Sequence, residues 1–182
     1  MIFSTVALAF LATLAAMTHL HKLVALSTVL LCALCGTASA NQDELRLVER
    51  VFVNVEDKVV DGCLPHPRAL KDTAELILRR SGITVSDDVS ASTNVLNLGA
   101  LGWARRVEGV VTDTCDAALD VSLFRYVAAP EGHVAKISAY GSTLLQSGFA
   151  KPDMQAQLRN SVTEAVTEIA NEILKARQSG SE

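Results

Sequence analysis

The chain has 182 residues, 49% hydrophobic and only 4% aromatic, and its 16 Lys and Arg against 20 Asp and Glu leave a net charge of −4. It holds no basic run, which argues against nucleic acid, whose phosphates need clustered Lys and Arg. The stretch GALGWARR (99–106) lacks the Lys-Ser/Thr ending of a phosphate-binding loop.

The amino-terminal 40 residues read as an export leader. From Met17, the short polar segment MTHLHK is followed by an apolar run at 23–35, and GTASA then places Ala38 and Ala40 in the A-x-A pattern of signal peptidase. Cleavage is expected between Ala40 and Asn41, where the composition turns polar. The run at 23–35 is shorter than the roughly 20 apolar residues a membrane helix needs, so no stable span is expected after cleavage. Residues 1–16 form a second apolar run with no positive charge ahead of it. Translation is therefore expected to start at Met17. The alternatives are a long double-hydrophobic leader or a two-helix membrane hairpin turning at His19, His21 and Lys22. Neither Cys32 nor Cys35 is preceded by the small residue of a lipoprotein signal. Only Cys63 and Cys115 should reach the folded protein.

The remainder, 41–182, is one ordinary domain, long enough to bury a core. Two cysteines in an exported domain usually pair. A Cys63–Cys115 bond closes a loop of roughly 50 residues and contributes on the order of 4 kcal/mol in the chain-entropy model.

In chain order, residues 45–60 (LRLVERVFVNVEDKVV) read as a first strand, with Leu45, Leu47, Val51, Val53 and Val55 on one face. DGCLPHP is a loop. Pro67 suits the first turn of a helix, which carries the stripe Leu70, Ala74, Ile77 and Leu78 and ends with Arg79, Arg80 and Gly82. ITVS (83–86) is a short strand, and DDVSAST is a polar turn in which Asp87 and Asp88 are solvated. Leu96, Leu98 and Ala100 alternate in the next strand. Ala117, Leu119, Val121, Leu123 and Val127 alternate in the one after, opposite Asp116, Asp120 and Ser122. HVAKISAYGSTLLQSG is a further strand, with Val134, Ile137 and Ala139 divided between its faces. From near Pro152, Met154, Leu158, Val162, Ala165, Ile169 and Ile173 recur at helical steps and predict a long amphipathic helix, with a frayed SGSE tail. The expected architecture is an α+β two-layer sandwich, a mostly antiparallel four- to five-stranded sheet with two helices packed on one face.

The strand VFVNV, the helix AELILRR followed by SGITV, the strands LDVSLFRYV and HVAKISAYG, and the closing helix together resemble the amino-terminal domain of TolB and the related domain of curli-secretion lipoproteins. That resemblance implies a periplasmic assembly or docking module rather than an enzyme. It contains no diagnostic motif and transfers no functional residue.

Several side chains remain candidates for chemistry. Cys63 and His66 form a C-x-x-H unit, and Cys115 and His133 would complete a tetrahedral zinc set. That set is the alternative reading, a periplasmic zinc-binding or hydrolytic enzyme, and it excludes the disulfide because a disulfide sulfur is no thiolate ligand. No G-x-S-x-G elbow presents a serine to either histidine. The favoured reading has no catalytic residue, metal or cofactor. It is an exported, periplasmic or secreted, envelope domain that binds a protein or another envelope component. The stretch GALGWARRVEG (99–109) holds the only tryptophan, Trp103, beside Arg105 and Arg106. Trp and Arg are favoured interface residues, so the expected binding surface is Trp103, Arg105 and Arg106, with Phe124 and Tyr126 on the neighbouring strand.

Overall fold

A computed structural model describes residues Ser39 to Ser179. The Met17 start, the 23–35 apolar run, Cys32, Cys35 and the last three residues of the tail lie outside the described residues. The described elements are β1 (Ser39–Ala40), α1 (Gln42–Arg46), β2 (Arg50–Val59), α2 (Arg68–Arg80), β3 (Thr84–Ser86), β4 (Asn94–Val107), β5 (Val110–Ala128), β6 (Val134–Ala150) and α3 (Lys151–Ser179).

The strands make one sheet in the order β1-β6-β5-β4-β2-β3. β4, β5 and β6 form an antiparallel meander, and β1 is antiparallel to β6. β2, however, runs parallel to both β3 and β4. The sheet is therefore mixed, against the expectation of a mostly antiparallel one, and it has six strands, the first only two residues long. The reason lies in β2–α2–β3, where a helix carries the chain back to the starting end of the sheet, so the strands on either side of it pair parallel. Residues 87–93 then cross the start of β2 and deliver β4 to its other side, parallel again.

The first strand also begins later than expected. Gln42–Arg46 is a short helix because Leu45 and Val48, spaced by three, are the buried pair, while Leu47 is exposed. Asp43 and Glu44 sit in its first turn, at the positive end of the helix dipole. Three helices, rather than two, are thus present among the described residues.

The other elements follow their local chemistry. Pro67 is the helical residue ahead of Arg68, with φ −61 and ψ −31. At the far end of α2, Ile83 N–H donates to Leu78 O at 2.9 Å and Gly82 N–H to Arg79 O at 3.1 Å. Gly82 takes φ +76, and the three features together make a Schellman stop. Glu108 and Gly109 both have positive φ, the two-residue turn whose twist suits a hairpin, and they join β4 to β5. Along α3, all six residues of the expected stripe are buried.

One hydrophobic core unites Leu45 of α1, Leu70, Ala74 and Leu78 of α2, and the α3 stripe. It is completed by Val51 and Val53 of β2, Leu96, Leu98 and Ala100 of β4, and Leu119, Val121 and Leu123 of β5. The helices therefore cover one face of the sheet. Tyr140 lies in this layer, where burial first, and Glu168 second, push its phenol up to about 12. Cys63 and Cys115 are joined by a disulfide with Cα atoms 6.0 Å apart, fully buried between the β2–α2 loop and the start of β5.

Candidate functional site

Among the described residues, the second face of the sheet carries no helix, and the strand registers order its side chains into cross-strand rows. Phe52, Val95, Phe124 and Ser138 form one row; Asn54, Asn97, Ser122 and Gly141 the next. Glu56, Gly99, Asp120 and Thr143 follow, then Lys58, Leu101, Ala118 and Leu145, and finally Trp103, Asp116 and Ser147.

The last two rows bring large apolar side chains into water. Trp103 is 51% exposed, Leu101 50% and Leu145 78%. They lie on β4 and β6, separated only by the small Ala118 of β5. Sequence reasoning singled out Trp103 and missed both leucines. A signal existed for Leu145: with Leu144 beside it in a strand, one of the two must face away from the core.

The strands around Trp103 are tied together by side-chain hydrogen bonds. Arg105 Nε donates to Asp116 Oδ2 at 2.7 Å and Arg105 Nη2 to Asp116 Oδ1 at 2.9 Å. The same Nη2 donates to Ser147 Oγ at 2.9 Å. Ser147 Oγ and Gly148 N–H both donate to Asp116 Oδ1, at 2.8 and 3.0 Å. Gly148, with φ +78, sits at the bulge where β6 shifts register against Cys115 and Asp116. The hydrogen bonds from Arg105 and then Ser147 hold the Asp116 carboxyl well below the usual carboxylate range, against the opposing effect of its partial burial. Arg105 is therefore a clamp across β4, β5 and β6.

Arg106 is occupied elsewhere, 3.8 Å from Asp61 in the β2–α2 loop. Phe124 and Tyr126 share the open face with Trp103 but lie near the other end of β5, about 27 Å away at the rise of a strand. The expected five-residue surface is thus divided. Lys136 Nζ stands 3.3 Å from the centroid of the Phe124 ring. Phe52, Asn54, Val89, Ser92, Val95 and Tyr126 line a cavity of about 620 Å³ at that end. A polar band separates the two ends: Asn54 Nδ2 donates to Asn97 Oδ1 at 2.7 Å, and Asp120 accepts from Ser122 and Thr143.

The zinc set is not assembled. Both cysteine sulfurs are committed to the disulfide. His66 lies just before α2, where its backbone N–H donates to Gln155 Oε1 at 3.1 Å. His133 is in the β5–β6 connection, at the end of β5 remote from Cys115, roughly 40 Å along the strand. Among the described residues, no group of three or more His, Cys, Asp and Glu side chains is placed to hold a metal. Asp88 caps its own turn, accepting from Ser90 N–H at 2.9 Å and Ser90 Oγ at 2.7 Å.

No family model and no curated protein matches the chain. Among solved structures, the chain is similar to the PelC dodecamer from Paraburkholderia phytofirmans (13% identity over 75% of this chain and 94% of that one, TM-score 0.42). It is also similar to a minor lipoprotein from Acinetobacter baumannii (14% identity, 71% and 93%, TM-score 0.38). A third is the rare lipoprotein B from Shewanella oneidensis (15% identity, 72% and 96%, TM-score 0.27). No helix among the described residues is long and apolar enough to cross a membrane.

Proposed function

We propose that this protein is an exported, non-catalytic envelope domain that docks a protein partner through the Trp103 end of its open sheet face. The observation that carries the reading is the exposure of Trp103, Leu101 and Leu145 on neighbouring strands, which Arg105, Asp116 and Ser147 tie together by hydrogen bonds. Large apolar groups on a preorganised surface lose little side-chain freedom on binding, and contiguous exposed apolar area favours a partner. Export is supported by the A-x-A pattern ending at Ala40 and by the disulfide, which persists in oxidising compartments. Cleavage between Ala40 and Asn41 would remove β1 and leave α1 as the first element. A docking role is also what the resemblance to the amino-terminal domain of TolB implies. Arg105 acts here by tying together the strands beside Trp103, and Phe124 and Tyr126 belong to a separate patch.

The test is affinity capture from envelope extracts with the protein and with a Trp103→Ala, Leu145→Ser double variant. The expected result is a partner retained by the parent and lost by the variant, whose thermal melting is unchanged. Equal capture by both would remove the Trp103 patch from the account. Intact mass of the protein recovered from cells should start at Asn41.

A further inference from the structure

β3 pairs with β2 only from Arg50 to Phe52, and the chain then turns away, with Ser86 Oγ donating to Asp88 O at 2.8 Å. β2 continues to Val59 with β4 on one side and, among the described residues, no strand on the other. Val60 N–H donates to Gly102 O of β4 at 2.9 Å. By strand alternation, the main-chain groups of odd-numbered residues before it point to the vacated side. Val59 N–H is capped there by Asp57 Oδ1 at 2.9 Å, which leaves the N–H and C=O of Val55 and Asp57 facing outward without a strand partner. From Val53 to Asp57 this edge runs about 13 Å, the length of four or five residues of an added strand.

The edge is the wall of a groove. A cavity of about 490 Å³ lies between β2 and the outer side of α2, where Lys71, Asp72 and Glu75 face it. Glu75 is only 8% exposed, and its Oε1 is a buried carboxylate oxygen with no hydrogen-bond donor. Lys71 stands 3.7 Å from it, and Arg79 reaches only Oε2, at 3.0 Å. Along the groove the carboxylates Asp57, Asp72, Glu75 and Asp87 outnumber by one the cations Arg68 and Lys71 that line it and Arg79, which pairs with Glu75 and Asp87. A strand edge supplies main-chain affinity for an extended peptide, and the pockets beside it select side chains. Here the selecting group is the buried Glu75 carboxylate, whose Oε2 is paired with Arg79 while its Oε1 has no hydrogen-bond donor.

We infer that β2 and α2 form a receptor groove for an extended, basic segment of another protein, which adds to the sheet along Val53–Asp57 and sets a Lys or Arg side chain against Glu75. This groove is distinct from the Trp103 patch and does not depend on it.

The test uses fluorescently labelled peptides on the protein as recovered from cells. The probes are an alternating valine–lysine hexapeptide, its valine–glutamate counterpart, and the basic peptide N-methylated on alternate backbone nitrogens. The basic peptide should bind at least about tenfold more tightly than the acidic one, and it should slow amide exchange at Val55 and Asp57. Glu75→Gln should reduce that preference, and Asp72→Lys, an exposed change on α2, should weaken the basic peptide at least about threefold. Binding should survive Trp103→Ala. The inference is overturned by equal binding of the N-methylated peptide, by equal binding of the acidic peptide, or by no binding of the basic peptide at millimolar concentration. Protection along the outer edge of β6 in place of β2, or loss of binding in Trp103→Ala, would also place the peptide elsewhere and overturn it.

Discussion

Asp116 shows how a single residue changes meaning between sequence and structure. By alternation alone it is one of several polar positions on the outer face of β5. In the fold it accepts from Arg105, Ser147 and Gly148, from strands on both sides. Its carboxyl titrates lower folded than unfolded, so the bond contributes stability above the unfolded value of about 3.9. That contribution is lost progressively as pH falls below it toward the lower folded value. Arg105→Gln should therefore lower the melting temperature at neutral pH, and the gap from the parent should narrow at about pH 3; thermal melts at the two pH values measure both. Gly102 is the other residue with a sharp requirement. It pairs with Ala117 in β5, and an added Cβ would lie 2.7 Å from Asp116 O and 2.9 Å from Ala117 Cβ. Gly102→Ala should cost about 1–3 kcal/mol, the range for forced overpacking, read from the urea midpoint. Neither requirement is visible locally, because each depends on which residue of another strand lies opposite.

At the scale of elements, the amphipathic patterns were the most legible part of the chain. The stripe read for α3 is the buried face of the helix, and Leu70, Ala74 and Leu78 of α2 are likewise buried. Their spacing repeats over several turns, and a repeated period leaves little room for another reading. Ile169→Ala, at a fully buried position, should cost about 2–5 kcal/mol through lost burial and the cavity left behind. Leu47→Ser, exposed just after α1, should change stability by only about 0.5 kcal/mol or less; denaturant titration of the two variants makes the contrast. Residues 45–48 read as strand because Leu45 and Leu47 alternate, whereas Leu45 and Val48, spaced by three, are the buried pair. Packing chose the second pair: Glu44 reaches Arg125 at 3.1 Å, and Arg177 of α3 donates to Val48 O. Those partners are 81 and 129 residues away in sequence.

Across the whole molecule, the disulfide closes a separation of 52 residues and links the β2–α2 loop to β5. Reduction without other change should cost about 4 kcal/mol, seen as a lower urea midpoint in the presence of a thiol reductant. This pairing was readable because residues 41–182 hold two cysteines, which have one way to pair. Apart from α1 and Leu47, the element types and buried faces, and that bond, were determined by the sequence itself, since each rests on local periodicity or on simple counting. The mixed sheet, the open face, the exposure of Trp103 beside Leu101 and Leu145, and the vacant edge of β2 were decided only in the tertiary structure. Each depends on strand order and direction. Those follow from competition among non-local pairings, in which residues far apart in the chain must be brought into one register.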